Sequence, residues 1–169
     1  MTEPTSNNAL LTKAKSDWRL WIFGLEKAID QEDLTKVDEK LNGFLSSWKA
    51  HGKPLEAECA VYEGRFILVA ASPSTLASGC SIDALFKVVS SIASEFKNSV
   101  SSPGDIFFRN PEELSVAHLN RQEFKNSYNQ AILSADTVVF DLTVDSFEKL
   151  QSGGFEKSLK DSWHQKLVQ

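Results

Sequence analysis

Cysteine is scarce in this chain, with Cys59 and Cys80 the two found in 169 residues. That is too few for a disulfide framework, and both read as free thiols of a reducing compartment. Basic charge is thin as well: 18 lysines and arginines face 23 aspartates and glutamates, for a net charge of −5. With no basic tract longer than a pair, a phosphate-tracking surface is not supported and no nucleic-acid partner is expected. No apolar run approaches the roughly 18 to 20 residues that cross a bilayer, and the polar stretch Thr2 to Asn8 after Met1 carries no signal pattern. The expected compartment is therefore the cytoplasm, with no membrane association. Cys-x-x-Cys and His-x-x-x-His spacings are missing, so neither a metal site nor a cofactor is expected.

What is present reads as one α+β domain over residues 1–169, a length that supports a proper core. Residues 1–8 read as a disordered tail, and Ala9 to Asp17 as a short helix. Trp18 to Leu25 is almost wholly apolar and bulky, as in a strand buried on both faces. Asp30 to Asp33 resembles a capping box, and Leu34, Val37, Leu41, Phe44, Leu45 and Trp48 then recur at helical spacing to about Ala50. His51 is expected in the last turn of that helix, with Gly52 as its left-handed terminus and Pro54 preventing continuation. Glu56 to Tyr62 alternates, placing Cys59 inward, and the Glu63-Gly64 turn leads into the fully apolar Phe66 to Ala71, which predicts a hairpin. A second helix follows, carrying Ile82, Leu85, Phe86, Val89, Ile92, Ala93 and Phe96 on one stripe. Ile106 to Arg109 reads as a fourth strand.

This β-α-β-β-α-β order over residues 18–109 predicts a split βαβ, ferredoxin-like core with its first and third strands central. Residues 110–169 read as a β-α-β-α extension, with strands at Leu114 to Leu119 and Thr137 to Val144. A helix between them is capped by Asn120 and Glu123 and buries Phe124, Tyr128 and Ile132. A short helix capped by Asp145 and Glu148 completes it, the Gly153-Gly154 break follows, and Lys157 to Leu167 ends the chain with Trp163 and His164 in it. That tail is expected to dock through a buried Trp163. The N-terminal segment and the last third of the chain are expected to cover the sheet face opposite the two long helices.

Four stretches, Phe44-Leu45-Ser46-Ser47-Trp48-Lys49-Ala50-His51-Gly52, Ser78 to Asp83, Thr137 to Phe140 and Ser162-Trp163-His164, resemble as an ordered set a family of small bacterial proteins. The family is found mainly in Bacteroidetes-type genomes and is often labelled "ABC transporter ATPase". The resemblance spans roughly residues 18 to 165 and implies no established activity. The ATPase label itself fails on chemistry, because no Gly-x-x-x-x-Gly-Lys-Ser/Thr loop is present to cradle phosphates.

The candidate site is Ser78-Gly79-Cys80-Ser81-Ile82-Asp83, where a loop opens the second helix and unpaired N–H groups favour anions and thiolates. In the predicted topology His51 and Arg109 reach the same end of the sheet. Ser78, Gly79, Ser81, Asp83 and Arg109 then form an anion-binding edge, and Cys80 with His51 forms a candidate nucleophile and base. Each has a plainer role in capping, packing or solvation, which favours non-catalytic binding of a small, anionic ligand or a protein partner. A thiol-dependent acyl or thiol transfer through Cys80 and His51 is the alternative. The oligomeric expectation is a monomer or homodimer.

Overall fold

The structure, a computed structural model, describes residues 10–169; the expected tail at residues 1–8 lies outside them. The elements in order are β1 (Arg19–Gly24), α1 (Leu34–Leu45), β2 (Lys49–Ala50), β3 (Lys53–Pro54), β4 (Ala57–Tyr62), β5 (Phe66–Ala71), α2 (Gly79–Glu95), β6 (Ile106–Arg109), β7 (Val116–Leu119), α3 (Arg121–Asn129), β8 (Val138–Phe140), α4 (Phe147–Gln151) and β9 (Glu156–Ser158), followed by 3-10 turns at Leu159–Asp161 and Trp163–Leu167. The class is α+β with antiparallel sheets. No helix among the described residues is long and apolar enough to cross a membrane.

Three apolar layers follow from the alternation of the strands. One face of the sheet β1-β5-β4 sends Trp21, Phe23, Ile67 and Val69 against Val37 and Leu41 of α1 and Leu85 and Val89 of α2. Its other face sends Leu20, Phe66, Leu68 and Ala70 against Phe107 and Phe140 of the second sheet, with Leu11, Trp18 and Phe155 closing the sides. The second sheet, ordered β7-β6-β8-β9, buries its far side, Ile106, Phe108 and Val139, under Phe124 of α3 and Leu159. Every residue of β5 is buried because it has a partner strand on both edges and a packed layer on both faces. Phe66 lies at the centre, with ring centroids 4.9 to 5.2 Å from Phe140, Phe107 and Phe155. The N-terminal segment and the last third of the chain thus cover the face that the sequence left open.

Three strands keep the expected order, with β5 between β1 and β4; the expected fourth, β6, hydrogen-bonds in the second sheet instead. The reason is local. Val100 and Ser101 begin to pair with the end of β1, and the Ser102-Pro103-Gly104 turn then carries the chain away. Ile106, Phe107 and Phe108 are apolar on both faces and are all buried between β7 and β8.

Other differences have equally specific causes. The helix expected over residues 9–17 is absent from the described residues 10–17. Instead the Glu58 carboxylate accepts from the amides of Thr12, Lys13 and Ala14 and holds this segment, a run of bends and turns, against the sheet. α1 stops at Leu45, and its N-cap, Asp33, makes no side-chain cap. His51 and Gly52, at φ 51° and 76°, form the two-residue turn of the β2-β3 hairpin rather than a helix end. Two consecutive left-handed residues suit a hairpin turn, whereas a helix terminus needs one. The short helix α4 is capped by Ser146, whose hydroxyl accepts from the Lys149 amide, not by Asp145. Ile132 is exposed, contrary to expectation, and the closing stretch of the chain forms β9 and two 3-10 turns. In that tail the roles of neighbours are reversed: His164 is 3% exposed and Trp163 38%.

Candidate functional site

At the start of α2 the cap forms as the residues dictate. Ser78 accepts from the Ser81 amide at 3.2 Å, and the Ser81 hydroxyl returns a bond to the Ser78 carbonyl at 2.8 Å. Trp48 ties the β2-β3 hairpin to this turn by donating from Nε1 to the Ser81 carbonyl at 2.8 Å. Cys80, Asp83 and His51 are exposed. Neither the Cys80 nor the His51 side chain hydrogen-bonds to any described residue, so the structure does not join them as a nucleophile and base. Arg109 belongs elsewhere. It binds both carboxylate oxygens of Glu63 at 3.0 Å and Glu156 at 2.7 Å, at the β4-β5 turn, a strand's length from where β5 hands on to α2. Burial works against its charge, but the hydrogen bonds it donates to Glu63 and Glu156 outweigh it and hold the guanidinium more firmly protonated than usual. The expected site therefore splits: its loop exists as a cap, and its arginine sits in another ion-pair network.

A cavity that the fold does build lies along the outer edge of β1. It is a cleft of about 360 Å³, with Trp21, Ile22 and Phe23 along its floor, Phe86 of α2 on one wall, Leu142 and Val144 on the other, and Ser101 to Asp105 at one end. Phe86 is 50% exposed, with its ring edge-on to Phe23 at 5.0 Å. The alternation of hydrogen bonds determines what β1 presents there. The Leu25 amide donates to the Arg65 carbonyl, so Phe23, Trp21 and Arg19 bond to β5, and Leu20, Ile22 and Gly24 face the cleft. The two ends of that edge are taken: the Leu20 amide donates to the Asp145 carbonyl, and the Gly24 carbonyl accepts from the Ser101 amide. Between them the Leu20 C=O, the Ile22 N–H, the Ile22 C=O and the Gly24 N–H find no partner among the described residues.

Gly24 makes this geometry possible, since a Cβ there would lie 2.4 Å from the Phe107 ring. A glycine inside a bulky apolar strand signals close approach, and it was the one trace of this region in the sequence. Beyond it, Arg65 knots the two sheets together. Although 8% exposed, it donates to the carbonyls of Leu25, Glu26 and Val116 and to His118 Nδ1 at 2.6 Å. Because a guanidinium can only donate, Nδ1 accepts and the ring proton sits on Nε2, directed at the Glu26 carboxylate 3.0 Å away. Glu26, Asp105 and His118 lie close enough together to ligate an ion. A metal on Nε2 would displace that proton next to a guanidinium, so the group is a clamp between β1 and β7 and fits a cation poorly. Sequence reasoning missed Arg65 because its partners are mostly backbone carbonyls.

Comparisons of the chain with protein-family models, with curated proteins and with solved structures find no match in any of the three.

Proposed function

We propose that this chain is a non-catalytic cytoplasmic binding domain whose ligand lies in the cleft on the outer edge of β1. The observation that carries the reading is the cleft itself: about 360 Å³, in the range of small-molecule sites, with mostly apolar walls and a few convergent polar groups. Its titratable lining consists of Arg19, Asp105 and Asp145, with the two carboxylates at opposite ends of the cleft rather than paired across one reacting centre. The α1, α2 and β1-β5-β4 unit is read here as a ferredoxin-like core in which the place of the fourth strand has become the cleft. Membership of the small bacterial family that the motifs resemble is part of the same proposal, and it brings no activity of its own.

Thiol chemistry at Cys80 gains no support from an exposed side chain that no base approaches. Titration of the labelled protein with indole, followed by NMR, tests the reading. Saturable shifts are expected at Trp21, Phe86 and Leu142, with Leu142→Trp, which fills the cleft, removing them. Shifts centred on Ser78 to Asp83 instead would return the site to the helix start.

A further inference from the structure

We propose that the occupant of the cleft is a free peptide about three residues long, paired parallel to β1; this rests on the cleft being the binding site. The class of ligand follows from the order of the unpartnered groups. From Leu20 to Gly24 they run acceptor, donor, acceptor, donor, which is the complement of an extended backbone and an unusual pattern for other small molecules. Length follows from the flanking segments. Leu20 and Gly24 are roughly 13 Å apart at about 3.3 Å per residue, and Asp145 and Ser101 close the two ends. An extended tripeptide of about 10 Å occupies the positions opposite Trp21, Ile22 and Phe23.

Direction follows from counting bonds. A parallel tripeptide satisfies all four groups: its ammonium donates to the Leu20 carbonyl, its first carbonyl accepts from the Ile22 amide, its third amide donates to the Ile22 carbonyl, and its carboxylate accepts from the Gly24 amide. An antiparallel tripeptide centred on Ile22 satisfies only the two groups of Ile22 and sets its carboxylate against the Leu20 carbonyl. The charged and hydroxyl groups of the lining agree with the parallel choice. Asp145, whose carboxylate also holds Lys149 Nζ at 2.7 Å, lines the ammonium end, and Ser101 and Ser102 line the carboxylate end. The two charges that would oppose it are otherwise engaged. The Arg19 guanidinium lies over the Trp21 ring at 4.8 Å, and Asp105 accepts from the Ser102 amide at 3.2 Å and faces His118 Nε2 at 3.8 Å. The middle side chain of the peptide would point to the Leu142 wall and the outer two to Phe86, so small apolar residues suit all three positions.

The test is NMR titration of the labelled full chain with Ala-Val-Ala bearing free termini, with the same peptide N-methylated at its second or its third residue, and with an N-acetylated, C-amidated form. The free peptide is expected to shift Phe86 and Leu142 and to slow exchange of the Ile22 and Gly24 amides. Methylation at the third residue should weaken binding about tenfold, methylation at the second should change little, and blocking both ends should weaken binding because the flanking segments leave no room. A penalty at the second residue but not the third would overturn the parallel register. Equal binding of all forms, or shifts without protection of Ile22 and Gly24, would overturn backbone pairing and leave the cleft as a site. Tighter binding of the blocked form would overturn the free peptide in favour of an internal segment of a partner. If indole shifts the cleft and Ala-Val-Ala does not, the peptide class fails alone; if neither does, the binding reading fails with it.

Discussion

The start of α2 and the outer edge of β1 offer two kinds of site in one molecule. The helix start is rich in reactive side chains, with a thiol, hydroxyls and a carboxylate in six residues, yet Ser78 caps the Ser81 amide, and the Gly79 and Cys80 amides that find no partner among the described residues belong to exposed residues rather than to a walled cleft. The β1 edge has an unremarkable sequence, Leu20-Trp21-Ile22-Phe23-Gly24, yet it brings four backbone groups to a walled cleft without partners among the described residues. The difference teaches that chemical suggestiveness of side chains and unsatisfied bonding capacity are separate signals, and the second arises only in tertiary structure.

The largest effect is expected where the cleft is anchored. Arg65→Met strips donors from three carbonyls and His118 and leaves Glu26 facing an uncharged neighbour. A loss of about 3–5 kcal/mol is expected, as for breaking a buried charged network, and urea denaturation measures it. A loss under about 1 kcal/mol would show that the two sheets, and the cleft end between them, are held by apolar packing alone.

Next comes pH, which separates tail docking from the cleft. Burial lowers the pKa of His164 to about 4, with Asp141 acting in the opposite direction and Arg121 adding to the drop. The unfolded chain, with histidine near 6.5, takes up the proton first as pH falls. The contribution of this group is therefore complete above about pH 6.5 and is lost as pH falls toward 4, in all about 3 kcal/mol. His164→Gln should flatten that part of the stability profile between pH 6.5 and 4. An unchanged profile would contradict burial of a neutral ring.

The smallest effect draws the comparison most finely, because it makes one substitution in both regions. Gly24→Ala forces a methyl into the Phe107 ring and should cost about 1–3 kcal/mol, narrowing the cleft. At Gly79, in the first turn of α2, an added Cβ meets nothing within 4 Å. There alanine should be neutral or stabilise by up to about 1 kcal/mol. Thermal unfolding of the pair checks both signs together; equal effects would remove the claim that Gly24 permits the close approach of Phe107.

Much of the fold was legible in the chain. The apolar run at Phe66 to Ala71, the Glu63-Gly64 hairpin, the Ser78 cap and the Asn120–Glu123 capping box all appear where local pattern placed them. Within the strand expected over Thr137 to Val144, Phe140 faces the first sheet and Val139 faces away from it. What failed depended on distant partners. Gly52 and Pro54 punctuate a hairpin as readily as a helix end, and nothing local told Ile106 to Arg109 which sheet to join. Arg109 went astray with its strand, since a place beside the start of α2 was inferred from the sheet it was expected to occupy. The cleft was invisible for the same reason: it is the space left when β6 pairs elsewhere.

Amide hydrogen exchange along β1 of the full chain tests the central claim most directly. Leu20, Trp21 and Phe23 donate within the protein, whereas Ile22 and Gly24 face the cleft unbonded. After correction for intrinsic rates, the account predicts fast exchange at Ile22 and Gly24 between slow neighbours. Uniform protection from Leu20 to Gly24 would mean that the edge is closed, and would contradict it.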